Sequence, residues 1–259
     1  MESMDNKTAV VTGAASGIGE AVAWALGQAG VTVAAVDRDR DRLEAVVAKM
    51  SADGIRAEAF PADVTSSAQV QAAVEEIENR LGPLDYLVNA AGVLRMGPAR
   101  SLSDTDWHDT FAVNATGVFL MCRAVVNRMI PRRSGAIVTV ASNAASVARM
   151  EMSAYCASKA AATMFTKSLG LEVAQYGIRC NLVAPGSTDT PMLQSMWHDE
   201  NGPKATLEGN LDAYKVGIPL RKLARPSDIA DAVAFLLSDR AGHITMHELT
   251  VDGGATLGV

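Results

Sequence analysis

Short β-branched runs recur along this chain, and longer alanine-rich amphipathic segments fill the spaces between them. The runs are TAVVT (8–12), VTVAAVD (31–37), IRAEAFPAD (55–63), LDYLVNA (84–90), GAIVTVAS (135–142), IRCNLVAP (178–185) and ELTVDGG (248–254). Several are apolar at nearly every position, as strands covered on both faces must be. The intervening segments predict helices near 17–29, 39–52, 67–81, 104–130, 153–176 and 226–238. Strands that alternate with helices predict a parallel sheet with right-handed crossovers. No linker, repeat or low-complexity tract divides the 259 residues, so the reading is one α/β domain with a doubly wound parallel sheet. One segment breaks the rhythm. Residues 187–218 carry Pro, Gly, Met and Trp with weak periodicity, just after the C-terminal end of a strand, where ligands bind in open α/β sheets. A long irregular insertion there predicts a substrate lid.

The balance of charge narrows the partners. A net charge of −6 and the absence of a basic run exclude a nucleic-acid surface. The first residues show no basic region followed by an apolar one, and no run of eighteen apolar residues occurs, so neither a signal peptide nor a membrane span is expected. Three cysteines, Cys122, Cys156 and Cys180, are too few and too scattered for a disulfide framework and fit a reducing cytoplasm. The four histidines form no metal motif; His243 and His247 read as surface or interface residues, and no metal is expected.

The first strand runs into TGAASGIGEAVAWALGQAG (12–30), where Gly13, Gly17 and Gly19 mark the turn and a helix follows at once. Glycines let the backbone approach a pyrophosphate, and the helix N-terminus offers it free N–H groups. Ser16 and Ile18 belong to the same turn. The second strand ends in Asp37, placed to accept from the hydroxyls of an adenosine ribose. A carboxylate there repels a 2′-phosphate and favours NAD over NADP, although Arg38 beside it is the residue type that receives such a phosphate. Taken alone, Asp37 also reads as a strand-end turn residue.

A second constellation lies in SAYCASKAA (153–161), which puts Tyr155 four residues before Lys159 on one face of a predicted helix, among small residues. A nearby ammonium lowers a phenol's pKa and suits it to exchange a proton with a substrate hydroxyl. Ser142, at the end of GAIVTVAS, reaches the same sheet edge. On this spacing alone, which is common by chance, a packed tyrosine and a snorkelling lysine are the stronger reading.

The set TGAASGIG, NAAG (89–92), Asn114 in FAVNATG, Ser142, YCASK (155–159) and PGSTDT (185–190) resembles the short-chain dehydrogenases/reductases over essentially the whole chain. The resemblance implies a Rossmann-type sheet, a nicotinamide cofactor and a Ser142–Tyr155–Lys159 catalytic set, with Asn114 holding a water that links Lys159 to solvent. It also implies Asp63 and Val64 beside the adenine, Asn89 and Ala90 near the ribose, Thr188 near the carboxamide and Lys159 bonding the nicotinamide ribose, with Ala91, Gly92, Pro185 and Gly186 also at the cofactor. A homotetramer is usual in that family. Within it, AAGVLRMG, SNAASVARMEMSAY, PGSTDTPMLQSMW and the C-terminal tail resemble the enzymes that oxidise 2,3-dihydro-2,3-dihydroxybenzoate in siderophore biosynthesis. A related group acts on trans-2,3-dihydro-3-hydroxyanthranilate. Either substrate is a dihydroaromatic carboxylate, for which Arg95 and Arg149 are candidate anchors, with Met150, Met152, Met192, Met196 and Trp197 as an apolar wall. The rivals are a generic ketone or 3-oxoacyl reductase and a dinucleotide sensor without catalysis; the intact Asn114, Ser142, Tyr155 and Lys159 set argues against the sensor.

Overall fold

The computed structural model describes residues 4–197 and 199–258. Six parallel strands follow the apolar runs: β1 (Thr8–Thr12), β2 (Thr32–Asp37), β3 (Ala57–Pro61), β4 (Tyr86–Asn89), β5 (Gly135–Val140) and β6 (Ile178–Pro185). With the last strand, β9 (Glu248–Val251), they form one sheet in the order β3-β2-β1-β4-β5-β6-β9. All its pairings are parallel. The order reverses between β1 and β4, and a crevice opens outside the carboxyl ends of strands at such a reversal. β1 and β4 are buried at every position, which is why their sequences show no polar alternation.

Helices cover both faces. On one face α1 (Gly17–Gln28), α2 (Arg40–Ala52) and α9 (Pro226–Leu237) pack Leu26, Leu43 and Ile229 against Val11, Val33 and Val138. On the other, α3 (Ser67–Leu81), α5 (Val118–Arg132) and α6 (Ser153–Val173) pack Ile77, Met121 and Ala162 against Val10, Leu87 and Ile137. Each large apolar side chain removed from water on these faces contributes about 1.5–3 kcal/mol. Local signals set the boundaries: Ser66 caps α3 by accepting from the Gln69 amide at 3.4 Å, and Gly82, at φ +87, ends it.

One boundary departs from expectation. The segment expected as a single helix over 104–130 is α4 (Asp104–Phe111), a π-helical turn (Ala112–Gly117) and α5. Composition does not encode such a turn; here it carries Asn114, which is wholly buried. The stretch Asp104–Arg132 is long and apolar enough to cross a membrane by composition, which the run-length reading did not register, but 56% of that window is buried in the protein, as in a core helix. Residues 187–218 are not structureless. They fold into α7 (Pro191–Gln194), α8 (Gly202–Glu208) and a two-stranded hairpin of β7 (Gly209–Asn210) and β8 (Lys215–Val216).

Candidate active site

Two adjoining cavities open along the carboxyl edge of the sheet. The smaller, of about 240 Å³, is lined by Gly13, Ser16, Asp37, Arg38, Asp63, Val64, Ala91 and Gly92, all expected at a cofactor. The larger, of about 720 Å³, is lined by Ile18, Ala90, Gly92, Pro185, Gly186 and Thr188, and also by Ser142, Tyr155 and Lys159. Gly92 lines both, so the two cavities meet at that residue, with Asp37 at one end and Tyr155 at the other.

The smaller cavity fits the adenosine and pyrophosphate of a dinucleotide. Gly13 (φ +70) and Gly17 (φ +59) take left-handed conformations at the turn. A Cβ at Gly19 would overlap the carbonyl oxygen of Gly13, so the helix start is pressed against the strand end by the lack of a side chain. Ser16 precedes α1 without capping it by its side chain, which leaves the helix's first N–H groups facing the cavity rim. Asp37 is fixed at the end of β2: its carboxylate accepts from the amides of Ala15 at 3.2 Å and Asp39 at 3.0 Å. Asp63 is held likewise by the amide and hydroxyl of Thr65, both at 2.8 Å. Arg42 and Asp39, overlooked in the sequence, also line this end and pair with each other at 3.4 Å.

Asn89 is a correction. Its side chain is turned into the core, where it donates to Cys122 Sγ at 3.2 Å and Thr139 Oγ1 at 3.3 Å, and it lines neither cavity. The strand end brings its main chain to the edge, but pleat alternation sends its side chain to the α5 face. The turn after it is held instead by Thr12, whose Oγ1 accepts from the amides of Ala90 and Ala91 at 3.0 and 3.2 Å.

At the other end, α6 presents Tyr155 and Lys159 one turn apart, as their spacing predicts. Small residues elsewhere on the helix, Ala154, Ser158 and Ala162, are buried, so it lies close to its neighbours and sinks both long side chains to the cavity floor. Lys159 Nζ donates to the Val140 carbonyl at 2.8 Å and stands 5.8 Å from the centre of the Tyr155 ring. Burial lowers its ammonium to about 8. Burial raises the Tyr155 phenol above its ordinary value, and a hydrogen bond with Ser142 pulls partly back. The expectation that Lys159 lowers this phenol is not met: burial raises it, and the group that opposes the rise is Ser142, through its hydrogen bond, with Lys159 5.8 Å from the ring centre. Ser142 is itself positioned, its Oγ accepting from the Ala144 amide at 3.1 Å, which leaves the hydroxyl hydrogen free to donate.

Asn114 uses its amide differently from the role the resemblance implies. Oδ1 accepts from the Val93 amide at 2.8 Å, and Nδ2 donates to the Val93 carbonyl at 2.9 Å and to Ser158 Oγ at 3.0 Å. It thus staples the loop after β4 to α6, both Nδ2 hydrogens being used and one Oδ1 lone pair remaining.

The substrate candidates divide. Arg149, Met150, Met152, Met192, Met196 and Trp197 line the larger cavity, joined by Met96. Arg95 does not: it turns to the surface, its Nε 3.5 Å from Asp106 and its Nη1 on the Leu94 carbonyl, which removes it as a carboxylate anchor. Its neighbours Leu94 and Met96 face inward in its place. Lys215, overlooked in the sequence, lines the cavity from the hairpin. Among the described residues no group of three His, Cys, Asp or Glu side chains is close enough to hold a metal ion.

A dinucleotide cradle continuous with a buried serine, tyrosine and lysine defines a nicotinamide-dependent oxidoreductase. Residues 7–201 match the family model for short chain dehydrogenases, and the chain belongs to that family. It is 59% identical over 256 residues to a 2,3-dihydro-2,3-dihydroxybenzoate dehydrogenase of Bacillus subtilis (strain 168), covering 99% of this chain and 98% of the relative. Its fold matches a gluconate 5-dehydrogenase from Burkholderia cenocepacia J2315 in complex with NADP and tartrate, with a TM-score of 0.91 and 32% identity over 99% of this chain and 98% of that one. It matches equally a 7α-hydroxysteroid dehydrogenase complexed with NADH, with a TM-score of 0.90 and 31% identity over 98% and 95% of the two chains.

Proposed function

We infer that this chain oxidises the C3 hydroxyl of 2,3-dihydro-2,3-dihydroxybenzoate to give 2,3-dihydroxybenzoate, with NAD as cofactor. The observation that carries the reading is the near full-length 59% identity to an enzyme of that name, joined to a cavity in which Ser142, Tyr155, Lys159 and Arg149 face one space. Solved relatives hold either NADP or NADH, so the choice of NAD rests on Asp37, whose fixed carboxylate repels a 2′-phosphate. Bound there, NAD⁺ supplies a hydride acceptor and a positive ring charge.

The protein's own share is binding, orientation and proton transfer. Tyr155 takes the C3 hydroxyl proton, while Ser142 donates to the same oxygen and fixes its position. Lys159, tied to Val140, holds its ammonium beneath the Tyr155 ring and favours the phenolate once the site gains further positive charge. C3 loses its hydride and becomes a carbonyl carbon. The resulting enone is a tautomer of a catechol, and loss of the C2 ring proton makes the ring aromatic, which draws the reaction forward. Arg149 meets the carboxylate, and Met150, Met192 and Trp197 supply the wall against the ring. We assign α7, α8 and the hairpin the role of a lid, because they form one side of that cavity.

A homotetramer in the cytoplasm completes the proposal. It is supported by the outer surface of α6, where Met164 and Leu171 are 62% and 71% exposed, an apolar face suited to a second copy.

The test is a side-by-side assay of NADH formation with the diol acid and with trans-2,3-dihydro-3-hydroxyanthranilate. Faster turnover of the diol acid is expected, by roughly tenfold or more for a pocket built to bond a hydroxyl. Faster turnover of the amino acid would assign the chain to that substrate instead.

A further inference from the structure

We propose that Lys215, carried on the β7–β8 hairpin, is a second cationic arm for the substrate carboxylate, opposite Arg149, so that the lid closes on ring acids in preference to neutral ring diols. The proposal rests on the dihydroaromatic-acid reading above and adds to it the residue through which the lid senses the acid group.

Three observations meet at this side chain. Lys215 and Arg149 line the same cavity from opposite parts of the chain, one on the lid and one just before α6. Among the described residues neither forms an ion pair with a carboxylate, although Glu151, Asp199 and Asp212 line the same space. The hairpin is also built to turn this residue inward. Asn210 Oδ1 accepts from the amides of Asp212 at 2.9 Å and Ala213 at 3.3 Å, closing the turn. Tyr214 then takes a left-handed conformation, φ +51, and stands 89% exposed, while the next side chain, Lys215, is half-buried at the cavity. A non-glycine residue in that conformation is held there by the surrounding structure.

Burial, and behind it the Arg149 guanidinium, lowers the Lys215 ammonium. Two cations facing one desolvated space disfavour each other until an anion joins them. A carboxylate has lone pairs enough to accept from both: a planar pair of N–H groups from Arg149 and a point charge from Lys215. Docking of the hairpin is thereby made more favourable by the acid. A neutral diol gives no such relief, and catechol is its carboxylate-free probe.

The experiment uses the NAD-loaded enzyme with Lys215→Met and Lys215→Arg. The KM for the diol acid and the inhibition constant of catechol are measured for each. Lys215→Met is expected to raise the KM for the acid by roughly tenfold to a hundredfold, the worth of one charged hydrogen bond, with kcat and the catechol constant little changed. Lys215→Arg restores most of the affinity. An unchanged KM in Lys215→Met, or an equal loss toward acid and catechol, overturns the proposal, the second outcome marking a merely structural hairpin residue. Absence of turnover of the acid by the unaltered protein overturns the underlying function and the proposal with it; that result is read in a separate arm.

Discussion

The glycine turn at the start of the chain and the lid after β6 form the two ends of one cleft, and they are built by opposite means. The turn works through what is missing: Gly19 has no side chain to keep the helix from the strand, and the helix start has no side-chain cap to occupy its N–H groups. The groups it offers to the proposed cofactor are main chain plus one fixed carboxylate, Asp37. The segment proposed as a lid lines the cavity with side chains on short elements, among them Met192 on α7 and Lys215 on β8, with Trp197 between α7 and α8 donating to Thr206 Oγ1 at 3.2 Å. Main-chain recognition suits the part of a ligand that every member of the family shares. Side-chain recognition suits the part that differs, because one substitution changes it without moving the fold.

The sharpest way to break this contrast is Gly19→Val. Because its Cβ has no space beside Gly13, the variant should lose about 1–3 kcal/mol of stability through overpacking, along with its NAD affinity. Thermal melting and a cofactor titration check this; unaltered NAD binding would show that the close packing is not needed. The lid substitution Lys215→Met should leave both measurements where they are.

A smaller effect is expected from Asp37→Ala. Loss of the carboxylate removes its bonds to the ribose and its repulsion of a 2′-phosphate, while Arg38 and Arg42 remain at the cavity. The preference for NAD over NADP should fall by roughly tenfold to a hundredfold, as for one charged hydrogen bond. A preference that stays put would move cofactor choice to another residue.

The same contrast explains what the sequence disclosed. Strands β1 and β6 and helix α3 appear at the residues their patterns predict, because buried parallel strands and a capped helix are local signals. The glycine turn, Asp37 and the Tyr155–Lys159 pair were legible because their spacing is fixed by a turn or by one helical repeat. Side-chain direction at strand ends was not: Asn89, the last residue of β4, faces the core, and Arg95, just beyond it, faces Asp106. The π turn around Asn114 has no compositional mark. Lys215 was hidden because the hairpin that delivers it is only two residues deep on each strand, too short for a periodicity. Its sole signal is the turn-forming stretch between Asn210 and Lys215 in an otherwise irregular segment.

The electrostatics of Tyr155 carry the largest consequence for mechanism. Burial raises its phenol, and a hydrogen bond with Ser142 opposes the rise; a positive nicotinamide ring beside it would favour the phenolate. This ties proton transfer to the moment when hydride has somewhere to go. The direct measurement is an ultraviolet difference titration of tyrosinate, protein minus Tyr155→Phe, with and without NAD⁺. Ionisation of this phenol is expected above its ordinary pH in the free protein and at least about one pH unit lower with NAD⁺ bound. A titration that does not move on adding NAD⁺, in protein shown to bind it, would contradict the account.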